Sequence, residues 1–156
     1  MSRAGGVAIW LAMAASAESG VPQAAIRALQ LQYPAYVVSS MEHLVKADVD
    51  GDGREDWIGV ASKENGDWAV LVAYHAEDGW RAGNVDMGHQ TMGPKELAVL
   101  PPGRYERHGS CVGTVAVNER MAISSPLPGV LATGFGGQRR AYQLGAHAWG
   151  FVCLGQ

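Results

Sequence analysis

From His43 to Met87 the chain repeats one pattern, a run of five to eight residues rich in aliphatic and aromatic side chains followed by a short polar segment. The runs are "HLVKA", "DWIGVAS", "WAVLVAYH" and "WRAGNVDM", and the segments between them are "DVDGDGRE", "KENGD" and "AEDG". β-Branched and aromatic residues suit a pleated, half-buried surface, and Gly, Asn and Asp suit tight turns. Segments this short cannot carry the crossover that parallel neighbours need, so consecutive strands must pair antiparallel. Residues 43–87 therefore predict a meander.

Before it, "ESGVPQAAIRALQLQ" predicts a helix. Ser19 is placed to cap it, Pro22 suits the first turn, and Val21, Ala25, Ile26 and Leu29 recur at helical spacing. Tyr33-Pro34 ends it, because proline disfavours helical geometry in the residue before it. After the meander the pattern weakens. "KELAVL" at 95–100 reads as a strand or a helical turn, "PPGRY" as a turn, "CVGTVAV" as a strand and "SSPLPG" as a loop. "TGFGGQRR" reads as a flexible loop or hairpin, and "RRAYQL" and "WGFVCL" as two short strands around "GAHA". With 156 residues, 47% hydrophobic and 17% charged, the chain has core enough for one domain. The expected class is mainly β, a β-rich α+β domain built on an antiparallel meander with one N-terminal helix.

The first inter-strand segment poses an electrostatic problem. Asp48, Asp50, Asp52, Glu55 and Asp56 fall within nine residues of a chain whose net charge is already -3. Unit charges about 4 Å apart repel by roughly 1 kcal/mol even in water. A hydrated glycine-rich turn is one answer, and a bound cation is the other. A hard divalent ion takes six to eight oxygen ligands, and in a twelve-position calcium loop Asp48 stands at position 1, Asp50 at 3, Asp52 at 5, the Arg54 carbonyl at 7 and Asp56 at 9. Gly53 falls at position 6, where the chain turns sharply. Position 12 is Gly59, and Trp57, Ile58 and Val60 favour a strand, so a helix-loop-helix hand does not follow. Calcium is the cofactor this spacing predicts, in a structural role, since no nucleophile or base lies near in sequence.

The stretch "LVKADVDGDGREDWIGVA" resembles the FG-GAP calcium loop, the strand-loop-strand pattern Asp-x-Asp/Asn-x-Asp-Gly-x-x-Asp of integrin α-chain propellers and many exported bacterial proteins. The resemblance covers residues 44–61 and occurs once in the chain, whereas the propellers repeat it. It implies side-chain ligation by Asp48, Asp50, Asp52 and Asp56 and carbonyl ligation by Arg54.

The opening "MSRAGGVAIWLAMAASAES" has a basic start at Arg3, an apolar run over 6–15 and small residues at 15–17, the order of an export signal. It predicts a signal peptide over 1–17 and a domain over 18–156, periplasmic or secreted. The apolar run is too short for a bilayer span of about 20 residues, so no membrane insertion is expected after cleavage. Export gives the two cysteines their meaning, because in an oxidising compartment Cys111 and Cys153 have one possible pairing. The rival reading is Cys111 as a nucleophile beside His108, which pairing removes.

Other motifs carry less. "HGSCVG" misses the G-x-S-x-G elbow by one position, which argues against Ser110 as a nucleophile. "TGFGGQRR" lacks phosphate-loop and dinucleotide spacings. The five histidines show no zinc spacing, and the acidic balance with only Arg139-Arg140 as a basic run disfavours nucleic acid. Trp57, Trp68, Trp80 and Trp149 flank strands and read as core or sheet-face residues. The expectation from all this is a non-enzymatic exported binding protein of the periplasmic inhibitor or immunity type, with a secreted peptidoglycan hydrolase as partner. Tyr105, Arg107, His108 and Ser110 are its expected contacts, an aromatic and an arginine beside small polar groups. A calcium-dependent envelope hydrolase and a carbohydrate-binding module using Trp80 or Trp149 are the alternatives.

Overall fold

The computed structural model describes residues 20–89, 93–109, 111 and 119–156. The signal-peptide reading of 1–17, the capping role of Ser19, Ser110 and all but the first residue of the expected strand "CVGTVAV" lie outside these residues. Among the described residues no helix is long and apolar enough to cross a membrane.

Helix α1 runs Gln23–Gln32, begins after Pro22 with no side-chain cap, and stops at Tyr33, whose N–H still donates to the Leu29 carbonyl. A single helical turn at Val38–Ser40 leads into β1 (Glu42–Ala47), β2 (Asp56–Ser62), β3 (Trp68–Ala76) and β4 (Gly79–Gly88). These four form one antiparallel sheet in chain order, the meander expected from the sequence. Period-two alternation decides its two faces. Ile58, Val60, Trp68, Val70, Val72 and Val85 point to one side, while Ala61, Ala69, Leu71 and Ala73 point to the other, where Ala25 and Leu29 of α1 cover them.

The remaining strands are β5 (Pro94–Leu100), β6 (Gly103–Glu106), β7 (Ala122–Ser125), β8 (Gly129–Gly134), β9 (Gln138–Leu144) and β10 (Trp149–Gly155). A second antiparallel sheet has the order β10-β9-β8-β5, and β6 pairs with β7 in a small third one. Leu97, Val130, Ala132, Tyr142 and Phe151 of the second sheet share one apolar core with the inner face of the meander. "KELAVL" is thus a strand, "TGFGGQRR" is the β8–β9 hairpin, and two segments expected as turn and loop become strands. "PPGRY" enters β6 at Gly103, and the first two residues of "SSPLPG" belong to β7, because each strand supplies the other's backbone partners from 16 to 22 residues away (Gly103 pairs with Ser125, Glu106 with Ala122).

The two large sheets are also tied by polar bonds. Arg140 Nη1 donates to Asp86 Oδ2 at 3.0 Å, and the Tyr142 hydroxyl donates to the same oxygen. Asp86 lies on β4 while Arg140 and Tyr142 lie on β9, all three buried. The Arg140 guanidinium lies 3.9 Å from the Phe135 ring centroid. Between β10 and β3, Trp149 Nε1 donates to the Tyr74 hydroxyl at 2.8 Å.

Candidate metal site

The β1–β2 connection is folded by its own carboxylates. Asp48 Oδ1 accepts the Gly51 N–H at 2.7 Å and Oδ2 the Gly53 N–H at 2.9 Å. Asp50 Oδ1 accepts the Asp52 N–H at 3.2 Å. These bonds require the chain to reverse twice within a few residues, and Gly51 and Gly53 do so at φ of 81° and 85°, where a side chain is strained. Gly51 also lies against Leu127 in the β7–β8 loop, which an added Cβ would meet at 3.0 Å. Val49, fully buried between the aspartates, pins the loop to the core.

Asp56, the first residue of β2, is fully buried. Its Oδ2 accepts the Val49 N–H at 3.0 Å and its Oδ1 the His75 N–H at 2.9 Å, so one carboxylate ties loop, β2 and β3 together. Burial pushes its carboxyl up to about 6 from the usual 3.8. The two N–H bonds oppose this, while the charges of Asp50 and Asp48 add to it. Asp50, at the surface, is also raised, by desolvation first and by the charges of Asp52 and Asp48 after the opposing Asp52 N–H bond. Tyr74, below the loop, is pushed up to about 12 by burial, with Asp56 and Asp50 contributing.

Asp48, Asp50 and Asp56 each bring one carboxylate oxygen within 4.8 Å of the other two. Two oxygens bound to one calcium at about 2.4 Å stand at most about 4.8 Å apart, so the trio satisfies the distance condition for a shared cation. A carboxylate has about four lone-pair sites, and Asp56 spends two on backbone N–H groups, which leaves it able to bind an ion as well. An all-oxygen donor set of this kind could hold a hard divalent cation.

Three of the four expected carboxylates therefore come together. Asp52 points elsewhere, with Oδ1 accepting the Arg54 N–H at 2.8 Å and Oδ2 paired with Arg54 Nη1 at 3.2 Å. Arg54, whose carbonyl the sequence offers as a ligand, thus holds Asp52 through its amide and guanidinium. Glu55 pairs with Lys46 at 3.5 Å.

The other predicted positions lie across the second half. Cys111 and Cys153 form the expected disulfide, with Cα atoms 5.6 Å apart. Tyr105 is half-buried, packs against the cluster of Leu100, Ile123, Ala141 and Val152, and donates its hydroxyl proton to the Pro101 carbonyl at 2.8 Å. Arg107 Nε lies 2.7 Å from the Gly109 carbonyl and 3.2 Å from Glu119 Oε1. His108 is exposed, and its N–H donates to the Cys153 carbonyl at 2.7 Å. Trp149 is buried, whereas Trp80 is half-buried and stacks on His75 with ring centroids 4.3 Å apart and planes 7° from parallel. Sequence reasoning missed Glu119 beside the disulfide and the Asp86–Arg140 pair. For the latter a signal exists, since Arg140 alternates in phase with buried Tyr142.

No family model, curated protein or solved structure matches the chain.

Proposed function

We propose that this chain is a non-enzymatic binding domain stiffened by calcium in an FG-GAP-like loop and by a disulfide. Its docking surface is the paired strands β6 and β7 with the described residues beside them, Arg107, His108, Arg120 and Met121, and its partner is another protein. The observation that carries the reading is how that region is held. The Arg107 N–H donates to the Met121 carbonyl, the His108 N–H to the Cys153 carbonyl and the Arg120 N–H to the Phe151 carbonyl, beside the Cys111–Cys153 bond. Yet His108 and Arg120 are exposed, and Met121 is 72% exposed. A backbone fixed on several sides that leaves side chains such as Met121 in water binds with little ordering cost.

Calcium fits the oxygen-only trio and its flexible loop better than magnesium, which demands a near-ideal octahedron and holds its water. Export, as the N-terminal sequence predicts, brings the domain into the compartment of cell-wall hydrolases, and a secreted peptidoglycan hydrolase is the partner we infer. An acidic domain approaches a basic wall-degrading enzyme favourably.

The test is inhibition of purified wall hydrolases acting on peptidoglycan, with complex stoichiometry by ultracentrifugation. A one-to-one complex is expected, weakened by Met121→Asp and His108→Ala while unfolding curves stay unchanged. Turnover of peptidoglycan by the protein alone would replace this reading with the calcium-dependent hydrolase. A second reading, glycan binding, draws on the His75–Trp80 stack and on Trp57, which lies half-buried on the same sheet face. Binding of soluble glycans abolished by Trp80→Ala, with hydrolases left uninhibited, would favour it.

A further inference from the structure

A second group of metal-ligating side chains lies at the disulfide. One atom each of Cys111, Cys153 and Glu119 falls within 4.8 Å of the other two. Glu119 Oε1 is 3.4 Å from Cys153 Sγ. A disulfide sulfur carries no proton, so the carboxylate gains no hydrogen bond from it, and its ionic partner is Arg107. The spacing has another meaning once the sulfurs are thiolates. Zinc binds thiolate sulfur at about 2.3 Å and carboxylate oxygen at about 2.0 Å, and a tetrahedral angle then sets the two about 3.5 Å apart. The same geometry sets two sulfurs about 3.8 Å apart, within reach of side-chain rotation from Cα atoms 5.6 Å apart.

We infer that the staple has a second, reduced form in which Cys111, Cys153 and Glu119 bind one zinc-class ion. A dithiol reductant breaks the Sγ–Sγ bond. Each cysteine sulfur gains one electron and one proton, and the dithiol leaves as its own disulfide. Zinc then displaces the two thiol protons to water and forms two Zn–S bonds, Glu119 supplies the third ligand, and a fourth position stays open to water. A small-molecule disulfide reverses this: it takes up the two electrons and two protons and leaves as a dithiol, the Sγ–Sγ bond re-forms, and the ion is expelled because a disulfide is no thiolate ligand. In both forms Cys111 remains joined to β10, so the β6–β7 region keeps its anchor in either redox state. This inference is independent of the partner proposed above.

The full-length protein, reduced with a phosphine under anaerobic conditions and with excess calcium to occupy the acidic loop, is titrated with cobalt(II) and then zinc. One equivalent of cobalt should give a thiolate-to-metal charge-transfer band, zinc should remove it, and the oxidised protein should give none. Zinc should raise the melting temperature of the reduced protein only. Glu119→Gln and Glu119→Asp, one lacking the charge and the other stopping short of the sulfurs, should each weaken binding by at least about tenfold. Should either variant fail to fold, the reduced and oxidised wild type still decide the matter. Absence of the charge-transfer band in the reduced wild type, or equal zinc affinity in a folded Glu119→Gln variant, overturns the inference.

Discussion

In the absence of a divalent cation, Asp56 should make the protein less stable as pH rises. Its carboxyl titrates near 6 in the folded chain against an ordinary value of 3.8, so the folded state holds the proton more tightly than the unfolded state. Stability from that proton is fully present below 3.8 and is lost as pH climbs through 6. The whole difference of about two units amounts to about 3 kcal/mol, of which about 1.4 kcal/mol lies between pH 5 and pH 7.5. The physical cause is a buried charge facing Asp48 and Asp50 without a counter-ion. Urea unfolding in chelator at the two pH values, for wild type and Asp56→Asn, isolates the group. The amide cannot titrate, and although it sets a donor against one of the N–H groups of Val49 and His75, that penalty is the same at both pH values. Wild type should lose about 1 to 2 kcal/mol relative to the variant between pH 5 and 7.5. Calcium should reverse the trend, because a ligating carboxylate must be deprotonated. An equal pH response in the two proteins would refute the argument.

The cross-sheet pair should be a stability hot spot. Asp86→Ala leaves Arg140 charged and buried in the core, and urea unfolding should register a loss of about 3–5 kcal/mol, against about 1–3 kcal/mol for Tyr142→Phe. Reducing the disulfide frees a 42-residue separation, for which chain entropy gives about 4 kcal/mol. Thiol titration of the oxidised, denatured protein should find no free cysteine, and the reduced form without metal should melt lower. Gly53→Ala should cost about 1–2 kcal/mol through its backbone alone. Gly51→Ala should cost more, because its new methyl group also meets Leu127, and thermal unfolding ranks the two.

The meander and the acidic loop were legible because their causes are local. Each strand of residues 43–87 meets its partner across a turn of a few residues, and the alternation of carboxylate and glycine sits in one unbroken stretch. What the sequence hid is non-local. β7 is four residues long and becomes a strand only against β6, on the far side of the segment that carries Cys111. "GVLATG" is bounded by glycines and follows a proline-rich loop, and it is fixed as β8 by β5 on one side and β9 on the other. Arg140 looks like half of a surface basic pair until alternation sends Arg139 outward and Arg140 into the core toward Asp86, 54 residues away. In the loop itself, equal spacing makes four aspartates look equivalent. Only the folded chain separates Asp52, taken by Arg54, from the trio that converges.

The central claim is that Asp48, Asp50 and Asp56 hold one calcium ion, and calorimetric titration of chelator-stripped protein at pH 7.5 tests it most directly. One ion per chain should bind, with a rise in melting temperature corresponding to about 2.7 kcal/mol when free calcium is a hundred times the dissociation constant. Asp50→Ala should lose both the heat and the rise, and Asp52→Ala should keep most of each. No binding heat, with identical melting in chelator and in millimolar calcium, would contradict the claim.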